Sequence, residues 1–201
     1  MAEFRARLRE ATTKPIDLSR WLDGLAEPDR IAAVRGLGRS DQRRLWQRVD
    51  GFAAMRLRDL VPPEVPALAT VRHYGRNTLP AFSLFEKRFT RPSGENAEQP
   101  GELHGFNFQA MQRFTGPGYF VAVEAGDRAE VLVDYRRLPD QHPEGWPEIV
   151  SNERGVARFV YGFMVDTLRR VSEHVSIGRA ARKGRDMGSW FALCREEHPN
   201  E

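Results

Sequence analysis

The stretch GYFVAVEAGDRAEVLVDYR, residues 118–136, decides the fold. Tyr119, Val121 and Val123 alternate with Phe120 and Ala122, and further on Val131, Val133 and Tyr135 alternate with Leu132, Asp134 and Arg136. A period of two belongs to a β-strand, whose successive side chains point to opposite faces. The AGDR between the two runs is a hairpin signal, so the stretch reads as two antiparallel strands.

The same pattern extends toward the C-terminus. VARFVYGF sets Ala157, Phe159, Tyr161 and Phe163 on one face of a further strand. RRVSEHVSIG sets Val171, Val175 and Ile177 on one face, and Arg170, Ser172, His174 and Ser176 on the other. A basic loop, AARKGRDMG, leads to a closing strand, SWFALCR. LPDQHPEGWP and PSGENAEQPGE are rich in turn residues and read as loops. Strands in hairpin order predict one antiparallel sheet over 69–195 that curls into a barrel, because closure removes the exposed edges.

Toward the N-terminus the period changes. Ile16, Leu18, Trp21, Leu22 and Leu25 recur at helical spacing, as do Ile31, Val34 and Leu37, and Leu45, Trp46 and Val49; a weaker segment runs through Met55, Leu57 and Leu60. These helices are short and need a surface to pack on, so Trp21 and Trp46 are expected to be buried together or against the barrel. LVPPEVPAL, residues 60–68, carries three prolines in five residues, which forbid a helix and favour extended chain. The expected organisation is therefore α+β: a helical segment over 1–60, a proline-rich linker over 61–68, a barrel over 69–195 and a tail over 196–201.

Composition narrows the function classes. The 201 residues are 40% hydrophobic, enough to build a core, and no apolar run is long enough to span a bilayer. The N-terminal MAEFRARLRE lacks the apolar stretch of a secretory signal, and the single cysteine, Cys194, has no internal disulfide partner. Together these predict a reducing, cytoplasmic setting. The net charge is only +3 and acidic residues are interspersed with the arginines, which speaks against a nucleic-acid stripe.

The C-terminal segment 157–195 resembles the end of the bacterial GxWxG-type, lipocalin-like domains. The residues that carry the likeness are Val160-Tyr161, Asp166, Leu168-Arg169-Arg170-Val171, Ile177-Gly178, Lys183-Gly184 and Trp190-Phe191 through Arg195. Gly162 stands where the family has Asp. Upstream, Val71-x-His73-x-Gly75 falls where the family's Gly-x-Trp-x-Gly strand would lie, and Glu86-Lys87-Arg88-Phe89 where its Gly-Lys-x-Phe run would lie. The resemblance implies a small barrel with an internal cavity and implies no reaction.

Candidate site residues follow from a cavity. Phe85, Phe89, Phe106, Phe108 and Tyr119, with Phe82, Phe114 and Phe120, form an aromatic set from which an apolar pocket can be lined. Asn107, Gln109 and Gln112 lie among them and suit a ligand with one polar handle. If Arg170, Ser172 and His174 face inward, they supply a polar wall, with Arg170 suited to a carboxylate or phosphate head. His73, in the place of a barrel-floor Trp, reads either as a plug hydrogen-bonded to backbone or as an acid or base.

The leading expectation is non-catalytic binding of a small apolar or amphipathic molecule. The alternatives are an enzyme using His73 or His174, and a protein-interaction module acting through the helices. A further alternative is a haem-binding barrel, because nitrobindin-type barrels, similar in general plan, use a late-strand His as iron ligand. Ser172 or Ser176 with His174 and Asp166 has the residue types of a triad, but alternate positions on one strand point in parallel and do not converge. No short HxH or HxxxH spacing marks a metal site.

Overall fold

The computed structural model describes residues 2–79, 83–109, 116–126 and 128–197. Five helices come first: α1 (Ala2–Arg9), α2 (Pro15–Asp23), α3 (Glu27–Arg35), α4 (Arg39–Arg48) and the single turn α5 (Leu57–Leu60). Eight strands follow: β1 (Val71–Asn77), β2 (Leu84–Thr90), β3 (Leu103–Phe108), β4 (Tyr119–Glu124), β5 (Val131–Asp134), β6 (Met164–Arg170), β7 (Val175–Arg182) and β8 (Arg185–Arg195). Each strand pairs antiparallel with the next, and β8 returns to pair with β1, so the sheet is a closed up-and-down barrel. This is the α+β architecture expected from the period-2 runs, with the eight-strand plan of lipocalin-like barrels.

Three strand boundaries differ from the sequence reading; one is at the basic stretch 180–188, read as a loop, where β7 runs to Arg182 and β8 starts at Arg185 across a Lys183-Gly184 turn. Ala157–Val160 is one turn of helix, α6, and β6 starts only at Met164. The exposed Phe159 at this turn shows why the alternation there was not that of a sheet. RRVSEHVSIG is not one strand but the end of β6, a tight reversal and the start of β7, closed by Val171 N–H and Ser172 N–H donating to the Val175 carbonyl at 2.9 and 3.1 Å. Glycines absent from that reversal made it look continuous, but a backbone turn needs no glycine when its φ angles stay negative.

The barrel has two apolar environments. Inside lie Phe85, Phe89, Leu103, Phe120, Val133, Tyr135, Leu168, Phe191 and Leu193. Outside, β7 and β8 present Val175, Ile177, Ala192 and Cys194, joined by Val171, to Leu18, Leu22, Val34, Leu45 and Trp46 of the helices. The apolar alternation of Val171, Val175 and Ile177 is thus the helix-facing side of the barrel wall. Trp46 is buried there, with the guanidinium of Arg169 3.8 Å above its ring. Trp21 is half-buried and stacks on Phe4, 5.4 Å between centroids. Residues 61–68 do more than link: Val61 and Val65 are buried in the barrel core with Leu57 and Leu60, closing the end at which β1 begins.

Four cross-strand pairs inside the barrel set a glycine against a phenylalanine: Gly75 with Phe85, Gly105 with both Phe89 and Phe120, and Gly178 with Phe191. A Cβ at Gly178 would sit 2.1 Å from the Phe191 ring, and one at Gly75 2.7 Å from the Phe85 ring. The Phe85, Phe120 and Phe191 rings therefore come close to the neighbouring strand's backbone, the approach that a strand glycine permits.

Because α4 buries Leu45 and Trp46 against the barrel and its sister helices, Trp46→Ala should lower stability by about 3–5 kcal/mol. Urea denaturation measures this directly; a loss under about 1 kcal/mol, the scale of an ordinary surface change, would mean that the helices are not cooperatively docked.

Candidate functional site

The two ends of the barrel differ. At the end carrying the β1 start and the β8 finish, residues 57–65 fill the interior. His73 is buried there, with Nε2 2.9 Å from the Leu60 carbonyl and its ring edge-on to Phe89. Burial holds its pKa down at about 3, so it is a neutral plug. Cys194 lies buried in the wall facing the helices, where desolvation pushes its thiol up to about 12 and makes it unreactive.

At the opposite end the interior opens into a cavity of about 350 Å³. Its walls are largely apolar: Phe85, Tyr161, Met164, Trp190 and Phe191, with Ala180 providing space. Asn77, Thr78, Gln109, Arg182 and Ser189 add polar groups to its lining. The volume falls within the range of small-molecule sites.

The floor consists of four polar side chains from four strands: Lys87 of β2, Asn107 of β3, Tyr135 at the end of β5 and Asp166 of β6. Alternation puts each on the inward face. Lys87 lies two residues from both Phe85 and Phe89, Tyr135 two from Val133, and Asp166 two from Met164 and Leu168. All four are buried. Lys87 Nζ donates to Asn107 Oδ1 at 3.1 Å, to Asp166 Oδ2 at 3.2 Å and to the Tyr135 hydroxyl oxygen. Tyr135 O–H donates to Asp166 Oδ2 at 3.2 Å, and Asn107 Nδ2 donates to Tyr135 Oη at 3.0 Å and to the Gly118 carbonyl at 3.3 Å. The rings of Phe120, Tyr135 and Phe191 lie about the ammonium at 4.8, 4.8 and 5.0 Å.

Burial dominates the titration of this group. It lowers the pKa of Lys87 and raises that of Asp166, while the attraction between the two opposes both shifts. Tyr135 is pushed up by burial and by the Asp166 charge, so its phenol stays protonated.

The residues expected from the sequence are distributed unevenly. Phe85 lines the cavity. Phe89 and His73 lie deeper in the filled half. Phe106 and Tyr119 project from the outside of the barrel into a separate cluster with Trp146, under the loop after β5. Phe108 is exposed, its ring 4.0 Å from the Arg88 guanidinium. Phe82, Phe114 and Gln112 lie outside the described residues. Arg170 takes the inward alternation of β6, whereas Ser172 and His174 lie in the reversal between β6 and β7; at this filled end, with His73, Ser176 and Arg195, they surround a space of only about 10 Å³. Arg170 is engaged with Asp59 at 3.2 Å. They form no wall of the open cavity, and a haem does not fit beside His174. Among the described residues no three His, Cys, Asp or Glu side chains gather to hold a metal ion, and no helix is long and apolar enough to cross a membrane.

Two floor residues, Lys87 and Tyr135, were not among the sequence candidates, and Asp166 was weighed only as a triad member. Their signal was a charged or phenolic side chain in phase with apolar neighbours on a strand. No protein-family model, curated protein or solved structure matches this chain.

The plug has a pH signature. Folded His73 stays neutral down to about pH 3, whereas its unfolded counterpart takes a proton near 6.5. The unfolded chain thus binds more protons below 6.5, so the stabilisation is complete above that pH and is lost as pH falls toward 3. In urea denaturation between about pH 6.5 and 5, His73→Gln should shed up to about 1.4 kcal/mol per pH unit of the parent's acid-linked loss. Parallel losses in both proteins would show that His73 is protonated as readily folded as unfolded.

Proposed function

We propose that this protein binds a small, mostly apolar molecule in the open half of its barrel, without acting on it chemically. The observation that carries this reading is the cavity itself: about 350 Å³, with aromatic and aliphatic walls above a polar floor. Apolar walls favour ligand uptake through removal of hydrophobic surface from water, and a few fixed polar groups orient the ligand. The resemblance of residues 157–195 to GxWxG-type lipocalin-like domains supports the same reading.

The enzyme alternative finds less support. His73 is neutral, hydrogen-bonded to backbone and beneath the cavity floor, and His174 lies at the other end of the barrel. Neither can contact a guest in the cavity, and an acid or base must come within hydrogen-bond reach of the proton it moves.

Titration with Nile red, a neutral dye whose emission rises in apolar surroundings, tests the site. Ala180 lines the cavity, so Ala180→Phe should fill part of it and weaken uptake by about tenfold or more. Arg170→Ala and His174→Ala should leave uptake unchanged. Circular dichroism establishes that each variant is folded. Unaltered binding in folded Ala180→Phe, or loss in the other two, would place the ligand elsewhere.

A further inference from the structure

The hydrogen-bonding inventory of the cavity floor selects the head group of the ligand, an inference that rests on the binding reading above. An ammonium has three donors, and those of Lys87 are all taken, by Asn107, Tyr135 and Asp166. Both hydrogens of the Asn107 amide are in use, toward Gly118 and Tyr135, and its oxygen accepts from Lys87. The Tyr135 hydroxyl accepts from Lys87 and Asn107 and donates to Asp166. Asp166 Oδ2 accepts twice. Asp166 Oδ1 is the exception: it is buried and has no hydrogen-bond partner among the described residues. The side chain that carries it is 3% exposed and belongs to the cavity lining.

An unpaired carboxylate oxygen out of water is costly, and a donor supplied by a ligand would relieve that cost. The floor as a whole carries no net charge, since Lys87 and Asp166 are paired 3.2 Å apart. A cationic head would meet the Lys87 ammonium, and an anionic head would meet the oxygen it would have to approach. Among the described residues, the one other charged group lining the cavity is Arg182, which donates to the Phe159 and Val160 carbonyls at 2.8 and 3.0 Å.

We infer that the ligand is an apolar molecule ending in a neutral hydrogen-bond donor, an alcohol or an amide N–H, which enters head first and donates to Asp166 Oδ1. Sites built around a hydrogen bond discriminate strongly against analogues that lack the donor, because the site's own polar group then stays unpaired.

Octanol and its methyl ether provide the comparison, being alike in apolar body and differing in the donor. Each would be titrated against bound Nile red on the full chain, with octanoate as a third competitor. The parent should prefer octanol to the ether by about tenfold or more. Removing Lys87 alone would leave Asp166 charged and buried, so the control replaces the pair together, Lys87→Met with Asp166→Leu, a swap that buried ion pairs often tolerate. In that folded double variant the preference for octanol should vanish while the ether still displaces the dye.

Equal displacement by octanol and ether in the parent would overturn the inference and leave the binding reading standing. Octanoate as the strongest competitor, with its advantage lost in Arg182→Met, would also overturn it and put the head at Arg182. Failure of all three to displace the dye would overturn both readings.

Discussion

The interior of this barrel is organised by one buried ion pair, Lys87 with Asp166, placed across it from β2 to β6. Removing two charges from water costs several kcal/mol per ion, and attraction between them offsets this only when the remaining donors and acceptors are satisfied. Asn107, Tyr135 and the surrounding rings fulfil that condition for the ammonium. The condition fixes the inward face of four strands at one level. Below it the interior is packed with Phe89, Phe120 and Leu168 and plugged by His73 and the proline-rich segment. Above it the interior is open.

Why it stays open follows from the glycine–phenylalanine pairs and from the helices. Phe85 and Phe191 lie over Gly75 and Gly178 and meet each other edge to face, 6.1 Å between centroids, so the two rings stand together as one wall of the cavity. The helices bury the outer faces of β7 and β8, and on β7 two inward positions are small: Gly178 and Ala180. The helical segment is thereby part of the barrel's stability as well as an attachment to it.

The closed antiparallel sheet was legible because period 2, hairpin turns and the absence of crossover helices leave few other arrangements. The facing of Arg170, Ser172 and His174 was left open by the pattern, because Ser172 and His174 lie in the reversal between β6 and β7 and because alternation gives the face of a strand and not the end of the barrel. Phe106 and Tyr119 misled for a related reason. The loop after β5 folds back over them, with Trp146 donating to Thr70 Oγ1 at 2.7 Å, and so gives outward aromatic residues a buried site of their own. Lys87 and Asp166 are 79 residues apart. Each alone looks like a surface charge, and only closure of the barrel brings them together.

The central claim is that the open half of the barrel holds an apolar guest whose head reaches the Lys87–Asp166 floor. The most direct measurement is a crystal structure of the protein with a bromine-tagged medium-chain alkanol, in which anomalous scattering locates the bromine. The account predicts one bromine site between the Phe85, Met164 and Phe191 side chains or at the mouth above them, with the hydroxyl within hydrogen-bond distance of Asp166 Oδ1. A bromine found instead in the surface groove formed by Arg39, Arg43 and Trp190, with the barrel interior unchanged, would contradict it.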